Sequence, residues 1–450
     1  MTRGVPSMVM DSPEASEREV PAGTKTSFLY PGMLFPFILL VLCFAAWGAA
    51  ANMTDTLVAT FRQIFSMSTF EATLVQSAYY GAYFLLALPA AFINQRLGYR
   101  VGVLTGLGLA AVGGFLFLPA ANALTFGFFL TAIFALAAGL SILETSANPF
   151  VMAMGPESNA TRRLNFAQAF NPVGANTGVL LAALVIAPQL SALSQAERQA
   201  LPPGELLAVQ IVELNAVMTP YIGLAIVLVL IWMGIAIIKI PRPHPSELRK
   251  VQIRGRGSRL RRLLTNRHYS FGVVAQFFNV AAQTGVWTFT IIYVQDAVDA
   301  TASQAGWWLQ ASLIVFLVSR FVMVGIMGFV DSRLLMLIMT ALGVALCFVA
   351  IASPNLIGAV AVLALSACLS LLFPTIYGVA LEGLGEDSKF GAAGLVMAIV
   401  GGATIPLIQG GIVDSAGSNI SYIVPAVCFG VCAAYALFAL RSARDVQEVA

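Results

Sequence analysis

The chain has 450 residues, of which 59% are hydrophobic and 10% are charged, and its formal net charge is +3. Soluble domains usually contain about 25% charged residues, so this composition excludes a water-soluble globular protein. The apolar runs are long and continuous, without alternation at every second residue, which also excludes an outer-membrane β-barrel. The composition therefore predicts an all-α membrane protein.

Twelve apolar segments, each close to the roughly 20 residues that a bilayer crossing needs, predict twelve transmembrane helices in two six-helix halves. They are placed at 29–51, 72–95, 101–121, 124–148, 164–187, 217–240, 269–295, 304–329, 334–352, 355–382, 390–412 and 420–440. The predicted parts are a tail at 1–28, an N-terminal half at 29–240, a basic linker at 241–268, a C-terminal half at 269–440 and a tail at 441–450. Two such halves joined by a basic loop resemble the layout of the major facilitator superfamily.

Positive charge is distributed unequally between the two predicted sides. All of the Lys and Arg residues except Arg62, Arg198 and Arg320 fall on the side that holds both termini. By the positive-inside rule this predicts cytoplasmic termini, an even number of crossings and a multi-pass protein of the cell (inner) membrane. The same rule accounts for the basic linker, so no nucleic-acid partner is expected.

Ionisable groups inside the predicted helices mark candidate functional positions, because a charge at mid-membrane costs on the order of 3 kcal/mol. Asp55 follows the first apolar run, with Asn52 three residues earlier on the same helical face. An exposed acid at a helix end is the alternative reading of Asp55. Glu144 follows an uninterrupted apolar run and shares a face with Asn148, just before Pro149 breaks the helix. A neutral glutamate that only packs between helices is the alternative there.

Amides at helical spacing form two further groups. Gln168 and Asn171 share one face of the predicted fifth helix, where they either line a cavity or join helices. Asn279, Gln283 and Trp287 recur at i, i+4 and i+8 on the seventh. Amides can pair with sugar hydroxyls and an indole ring can stack on the apolar face of a sugar, so this stripe favours a sugar cavity. Ordinary aromatic packing is the alternative.

Arg320 has no acidic neighbour in its own helix, so we expect its partner to be Glu144, Asp55 or the substrate. Both histidines, His244 and His268, fall in the predicted linker. If the protein carries protons through the membrane, carboxylates must therefore carry them.

Several sequence blocks, in order along the chain, resemble the L-fucose:proton symporter family of the major facilitator superfamily. The blocks are LVQSAYYGAYFLLALPA (74–90), LETSANPFV (143–151), GPES (155–158), RLNFAQAFN (163–171), AAQTGVW (281–287), KFGAAGLVMAIVGG (389–402) and VDSAGSNI (413–420). The resemblance implies sugar uptake by alternating access, driven by the proton gradient without a cofactor. It implies proton translocation by Asp55 and coupling of protonation to sugar binding by Glu144.

The predicted partners are a small-molecule sugar, a proton and the lipid bilayer, and the chain is expected to act as a monomer. The predicted substrate-binding residues are Asn52, Gln168, Asn171, Asn279, Gln283, Trp287 and Arg320. The family's fucose members commonly have other residues at Thr54, Asn279 and Ser319, which leaves the identity of the sugar open. The alternative functions are an exporter of drugs or metabolites and a nutrient sensor that does not transport. An intramembrane enzyme is not favoured, because the predicted helices contain no His and no metal-ligand spacing.

Overall fold

A computed structural model describes residues 27–65, 69–191, 193, 195–238 and 259–449, and the regular structure in these ranges is entirely helical. Short helices at Gln195–Ala200 and Arg259–Thr265 accompany twelve long ones. The long helices are α1 Leu34–Ile64, α2 Thr69–Leu97, α3 Tyr99–Ala123, α4 Phe126–Met152, α5 Glu157–Gln189, α6 Pro203–Ile237, α7 Arg267–Val298, α8 Ala302–Ile326, α9 Ser332–Ala352, α10 Leu356–Leu381, α11 Gly385–Ala416 and α12 Ile423–Val449.

By length and composition, 11 helical segments in the described ranges could cross a membrane, and α2 is the long helix outside this set. The lower hydropathy of α2 has a local cause, because Tyr79, Tyr80 and Tyr83 interrupt its apolar character and line an internal cavity. With α2 included, the predicted twelve-helix fold is confirmed.

Several helices extend beyond their predicted bounds, and α1 and α6 do so by the most. The helix α1 continues to Ile64, so Asp55 lies within it rather than beyond its end. The helix α6 begins at Pro203, well before the predicted start at 217. Polar residues at these ends interrupt the apolar run but not the backbone hydrogen bonding that makes the helix. The predicted tail residues 1–26 and linker residues 241–258 lie outside the described residues.

The earlier start of α6 places Glu213 inside the protein. Glu213 forms an ion pair with Arg198, and each side chain is only 1% exposed. The carboxylate of Glu213 also accepts a hydrogen bond from the backbone N–H of Ser191 at 2.8 Å. The predicted helix at 217–240 left Glu213 outside, because the prediction relied on the apolar run to mark the start of α6.

Arg163, predicted as a loop charge, is also buried, and it holds the junction between α4 and α5. Its guanidinium donates to the carbonyls of Val151 at 2.8 Å, Gly155 at 3.0 Å and Phe28 at 2.9 Å. The last carbonyls of a helix lack intrahelical donors, so Arg163 supplies them at the end of α4.

The helices α1 and α5 cross with their backbones in contact. A Cβ atom added at Gly48 would lie 2.0 Å from the carbonyl oxygen of Asn171, and one at Gly174 would lie 1.7 Å from that of Ala45. Only glycine permits so close an approach. The crossing fixes Asn171 beside α1, where its amide nitrogen lies 3.4 Å from the carbonyl oxygen of Phe44.

Two helices are interrupted in the middle of the bundle, each shortly before a proline. The helix α5 breaks at 169–170, directly after Gln168, and Pro172 follows. The helix α10 breaks at 370–371, and Pro374 follows Ser370. Proline has no N–H to donate to the carbonyl four residues earlier. The carbonyls of Gln168 and Ser370 are therefore open to other donors.

Contacts between the two halves concentrate at one end of the bundle. We call it the basic end, because it carries the loops after α2, α4, α8 and α10, with Arg96, Arg162, Arg333 and Lys389 in or beside them. The contacts there include Asn165 Nδ2 to Thr375 Oγ1 at 3.2 Å, Arg162 Nε to the Val324 carbonyl at 3.2 Å, and the rings of Phe92 and Phe390, whose centroids are 5.0 Å apart. Towards the other end, Gln310 Nε2 donates to Asn176 Oδ1 at 3.2 Å.

Candidate functional site

A cavity of about 480 Å³ lies between the two halves, on the side of these contacts away from the basic end. Its volume falls in the range of about 300–1,000 Å³ that is usual for small-molecule sites. The N-terminal half contributes Trp47, Asn52, Tyr79, Tyr80, Tyr83, Gln168, Asn171 and Asn176 to the lining, and the C-terminal half contributes Gln283, Thr284, Trp287, Phe316, Arg320 and Phe373, among others.

Six of the seven predicted substrate-binding residues line this cavity: Asn52, Gln168, Asn171, Gln283, Trp287 and Arg320. The seventh, Asn279, is fully buried and lies outside the lining. A step of four residues overshoots one helical turn by about 40°, so the two steps that lead from Trp287 back to Asn279 turn the stripe away from the cavity. The structure therefore separates Asn279 from the other two members of its stripe.

Arg320 lies at the floor of the cavity, where it joins three helices. Its Nε donates to the carbonyl of Ser370 at 2.6 Å, and its Nη1 donates to the carbonyl of Gln168 at 2.8 Å. Its guanidinium carbon lies 4.7 Å from the centre of the Phe316 ring. Its described partners are thus the two open carbonyls at the helix breaks and an aromatic face. The prolines at 172 and 374 were the sequence signal for these partners.

Trp287 is held in position by two contacts. Its Nε1 donates to Ser366 Oγ at 3.1 Å, and the edge of its ring meets Phe316 with the centroids 4.9 Å apart. A ring fixed in this way offers a flat apolar surface to the cavity without further ordering of the side chain.

Glu144 lies on α4, behind the cavity lining, and is 1% exposed. Within the described residues, neither of its oxygens accepts a hydrogen bond of ordinary geometry. The polar groups nearest to it include Asn148 on its own helix, Tyr83 on α2 and Tyr377 on α10. A buried carboxylate without hydrogen bonds is costly, so this position requires either a proton on Glu144 or a movement of its neighbours.

Asn148 connects Glu144 to the cavity. Its Oδ1 accepts a hydrogen bond of 2.8 Å from Nε2 of Gln168, which lines the floor. Both Asn148 and Gln168 are almost completely buried. The other predicted proton carrier, Asp55, lies on α1, but its side chain is outside the described residues.

Three tyrosines of the lining were missed at the sequence level. Tyr79 and Tyr83 stack with their ring centroids 5.0 Å apart, and their hydroxyl oxygens lie 3.4 Å from each other. Their spacing of four residues inside a membrane helix is the signal that could have identified them, because it places two hydroxyls on one face.

The fold and this central cavity define the class of protein. Residues 37–275 match the model of the Major Facilitator Superfamily, and the chain belongs to that superfamily. Within it, the chain is 37% identical to the L-fucose-proton symporter of Haemophilus influenzae over 89% of this chain and 96% of the relative. It is 34% identical to the L-fucose-proton symporter of Escherichia coli over 92% of this chain and 94% of that one. The predicted family, that of the L-fucose:proton symporters, is confirmed.

The structure leads to the same family. It superimposes on the crystal structure of the Major Facilitator Superfamily transporter FucP in the outward conformation with a TM-score of 0.83. The match has 33% sequence identity and covers 90% of this chain and 99% of FucP.

Proposed function

We propose that this protein is a proton-coupled symporter of a monosaccharide similar to L-fucose, and that it works by alternating access. The observation that carries the proposal is a cavity lined by amides and a fixed indole ring, with a buried carboxyl connected to its floor through Asn148. This combination provides sugar recognition and a proton site in one place.

The polar lining suits a sugar better than an apolar drug. Asn52, Asn171 and Gln283 each present both a donor and an acceptor, which matches the mixed donor and acceptor character of sugar hydroxyls. Trp287 offers its ring to the apolar face of the sugar. The exporter hypothesis is not favoured, because the chain aligns with sugar symporters over almost its whole length.

The basic end faces the cytoplasm in this proposal, as the positive-inside rule predicts. The contacts at that end then close the cytoplasmic side, and the cavity belongs to the outward-facing half of the cycle. Protonation of Asp55 and Glu144 from outside favours sugar binding, and rocking of the two halves exposes the site inward. Sugar and proton then leave together, and the proton gradient is the energy source.

The test is sugar uptake into proteoliposomes, with a panel of hexoses and pentoses scored by proton influx. The wild type should accumulate one or a few sugars against a gradient and take up protons with them. Asp55→Asn and Glu144→Gln should abolish accumulation, because neither variant can exchange a proton at that position. Glu205→Gln, at an exposed acid near the start of α6, is the matched control and should behave as the wild type.

The proposal fails if no sugar in the panel moves protons into the liposomes. Accumulation at the wild-type level by Asp55→Asn or Glu144→Gln would remove that residue from the proton pathway.

A further inference from the structure

Asn148 and Glu144 form an incomplete hydrogen-bonding unit in the interior of the N-terminal half. They stand four residues apart on one face of α4, and both are buried. Oδ1 of Asn148 is engaged by Gln168, whereas its Nδ2 makes no hydrogen bond of ordinary geometry within the described residues. Within the same residues, neither carboxyl oxygen of Glu144 accepts a hydrogen bond of ordinary geometry. The amide donor of Asn148 thus lies one turn away from the two acceptors of Glu144, close enough to interact with them.

We propose that Asn148 is a positioning residue that relays the protonation state of Glu144 to Gln168. It thereby determines whether Gln168 offers its amide oxygen or its amide nitrogen to the sugar. This inference rests on the proposed function and adds to it the route by which a buried proton affects a cavity that Glu144 does not line.

With Glu144 ionised, Nδ2 of Asn148 donates to the carboxylate and Oδ1 accepts from Nε2 of Gln168. Gln168 then has its Oε1 free, so it offers the cavity an acceptor. This arrangement keeps the hydrogen bond from Gln168 to Asn148 that the structure contains.

With Glu144 protonated, the carboxyl O–H needs an acceptor. A side-chain amide presents its oxygen in place of its nitrogen after a half-turn, and the turned Asn148 accepts from Glu144 and donates to Gln168. Gln168 turns in response, accepts through Oε1 and offers its Nε2 to the cavity. No proton travels along the amides, and only the direction of the two hydrogen bonds is reversed.

Few other ionisable groups compete for Glu144 in the described part of the protein. Those that face it are Tyr83 from α2 and Tyr377 from α10, and the hydroxyl of Tyr377 also interacts with the side chain of Asn148. Arg320 of α8 contacts the backbone carbonyl of Gln168, not its side chain, and so leaves the amide free to turn. The side chain of Asp55 on α1 is outside the described residues.

The experiment compares the pH dependence of sugar affinity in the full-length protein, with the sugar that the uptake panel identifies. Asn148→Leu keeps a similar side-chain volume and removes both hydrogen-bonding atoms. Asn94→Leu is the matched control, because Asn94 is another fully buried amide that touches α4, through the Thr145 carbonyl at 3.2 Å, but lies outside the relay.

Coupling between two sites usually amounts to about 5- to 150-fold in affinity, and we expect a change in this range for the wild type and Asn94→Leu between acidic and alkaline pH. In Asn148→Leu the sugar should still bind, with a change of less than about twofold, because Glu144 then titrates without affecting Gln168. A wild-type pH dependence in Asn148→Leu overturns the relay while the proposed function stands. If the wild type binds no sugar in the panel, both proposals fail.

A second measurement on the wild type keeps the relay testable if Asn148→Leu does not fold. Infrared difference spectra should show that sugar binding shifts the carbonyl band of protonated Glu144, assigned by its loss in Glu144→Gln. A sugar-bound wild type with no shift in that band overturns the relay.

Discussion

The two walls of the cavity have different chemistry. The N-terminal half supplies most of the amides and three tyrosines, with a buried carboxyl behind them, whereas the C-terminal half supplies Arg320, the rings of Trp287 and Phe316 and one amide, Gln283. A carboxyl can gain and lose a proton near neutral pH, but a guanidinium stays charged. The comparison indicates a division of tasks, in which the N-terminal half senses the proton and contributes most of the amides that face the sugar, whereas the C-terminal half contributes the stacking ring and the arginine that joins the halves.

Of the substitutions that test this division, replacement of Arg320 should have the largest effect on sugar uptake. Arg320→Met removes two charge-assisted hydrogen bonds, each worth about 1.5–3 kcal/mol. Since about 1.4 kcal/mol corresponds to a factor of ten, uptake should fall at least about a hundredfold. Arg320→Lys should not restore it, because a single ammonium group lacks the fork that reaches both carbonyls.

The measurement is the initial rate of sugar uptake at a fixed proton gradient. Arg441→Met, at an exposed arginine of α12, is the control and should leave the rate unchanged. Wild-type uptake by Arg320→Lys would show that a positive charge is sufficient for transport. The two hydrogen bonds of the guanidinium to the helix breaks would then not be required.

Replacing Trp287 should have an intermediate effect that is confined to binding. Trp287→Ala removes the stacking surface, and aromatic contacts contribute about 0.5–1.5 kcal/mol beyond the area that they bury. The apparent KM for sugar should rise about tenfold, while the ratio of protons to sugar stays the same. Trp307→Ala is the matched control, since Trp307 is 72% exposed and lies outside the cavity.

If Trp287→Ala lowered the ratio of protons to sugar as well as raising the apparent KM, the division of tasks would be contradicted. A change of KM in Trp307→Ala would indicate that tryptophan removal acts through general instability.

The smallest effect is expected at Glu382, an acid of the C-terminal half outside the membrane-spanning segments. Burial raises the pKa of Glu382 above its ordinary value of 4.5, although the neighbouring Arg333 opposes the shift. The folded state therefore binds the proton more tightly than the unfolded state, and this contribution to stability is lost as the pH rises through the raised pKa. Glutamine at this position does not titrate, so Glu382→Gln does not lose this stability as the pH rises. The Tm of Glu382→Gln minus the Tm of the wild type should therefore increase with pH.

Thermal unfolding in detergent from mildly acidic to neutral pH measures this difference in Tm. The transport assay then tests whether the same variant changes coupling. The proton-to-sugar ratio of Glu382→Gln should equal that of the wild type, because the coupling acids belong to the N-terminal half. A changed ratio would place part of the coupling in the C-terminal half.

The sequence was sufficient to predict the twelve helices and most of the cavity. Apolar length sets the number of crossings, and polar residues such as Gln168 and Trp287 were recognisable because they are expensive or unusual inside a membrane. Asn279 shows the limit of that reasoning, since helical spacing alone does not define which way a face points once helices pack.

Partners that come from another part of the chain were beyond the sequence. The ion pair of Arg198 with Glu213 depends on a loop folding onto α6, and the hydrogen bond from Gln168 to Asn148 joins two helices. Arg320 is the instructive case, because a search for an acidic partner overlooked backbone carbonyls. A proline four residues after a polar position signals such a carbonyl, and both Pro172 and Pro374 were visible.

The position of Arg320 between two broken helices has a consequence for ion use. In other transporters, carbonyls freed at helix breaks coordinate a diffusible cation such as Na⁺. Here a cation that is covalently part of the protein occupies that kind of place, against the carbonyls of Gln168 and Ser370. A cation attached to the protein cannot be released with the sugar, so Arg320 itself carries no charge across the membrane. With Arg320 in this place, the carbonyls of Gln168 and Ser370 are not free to coordinate a diffusible cation.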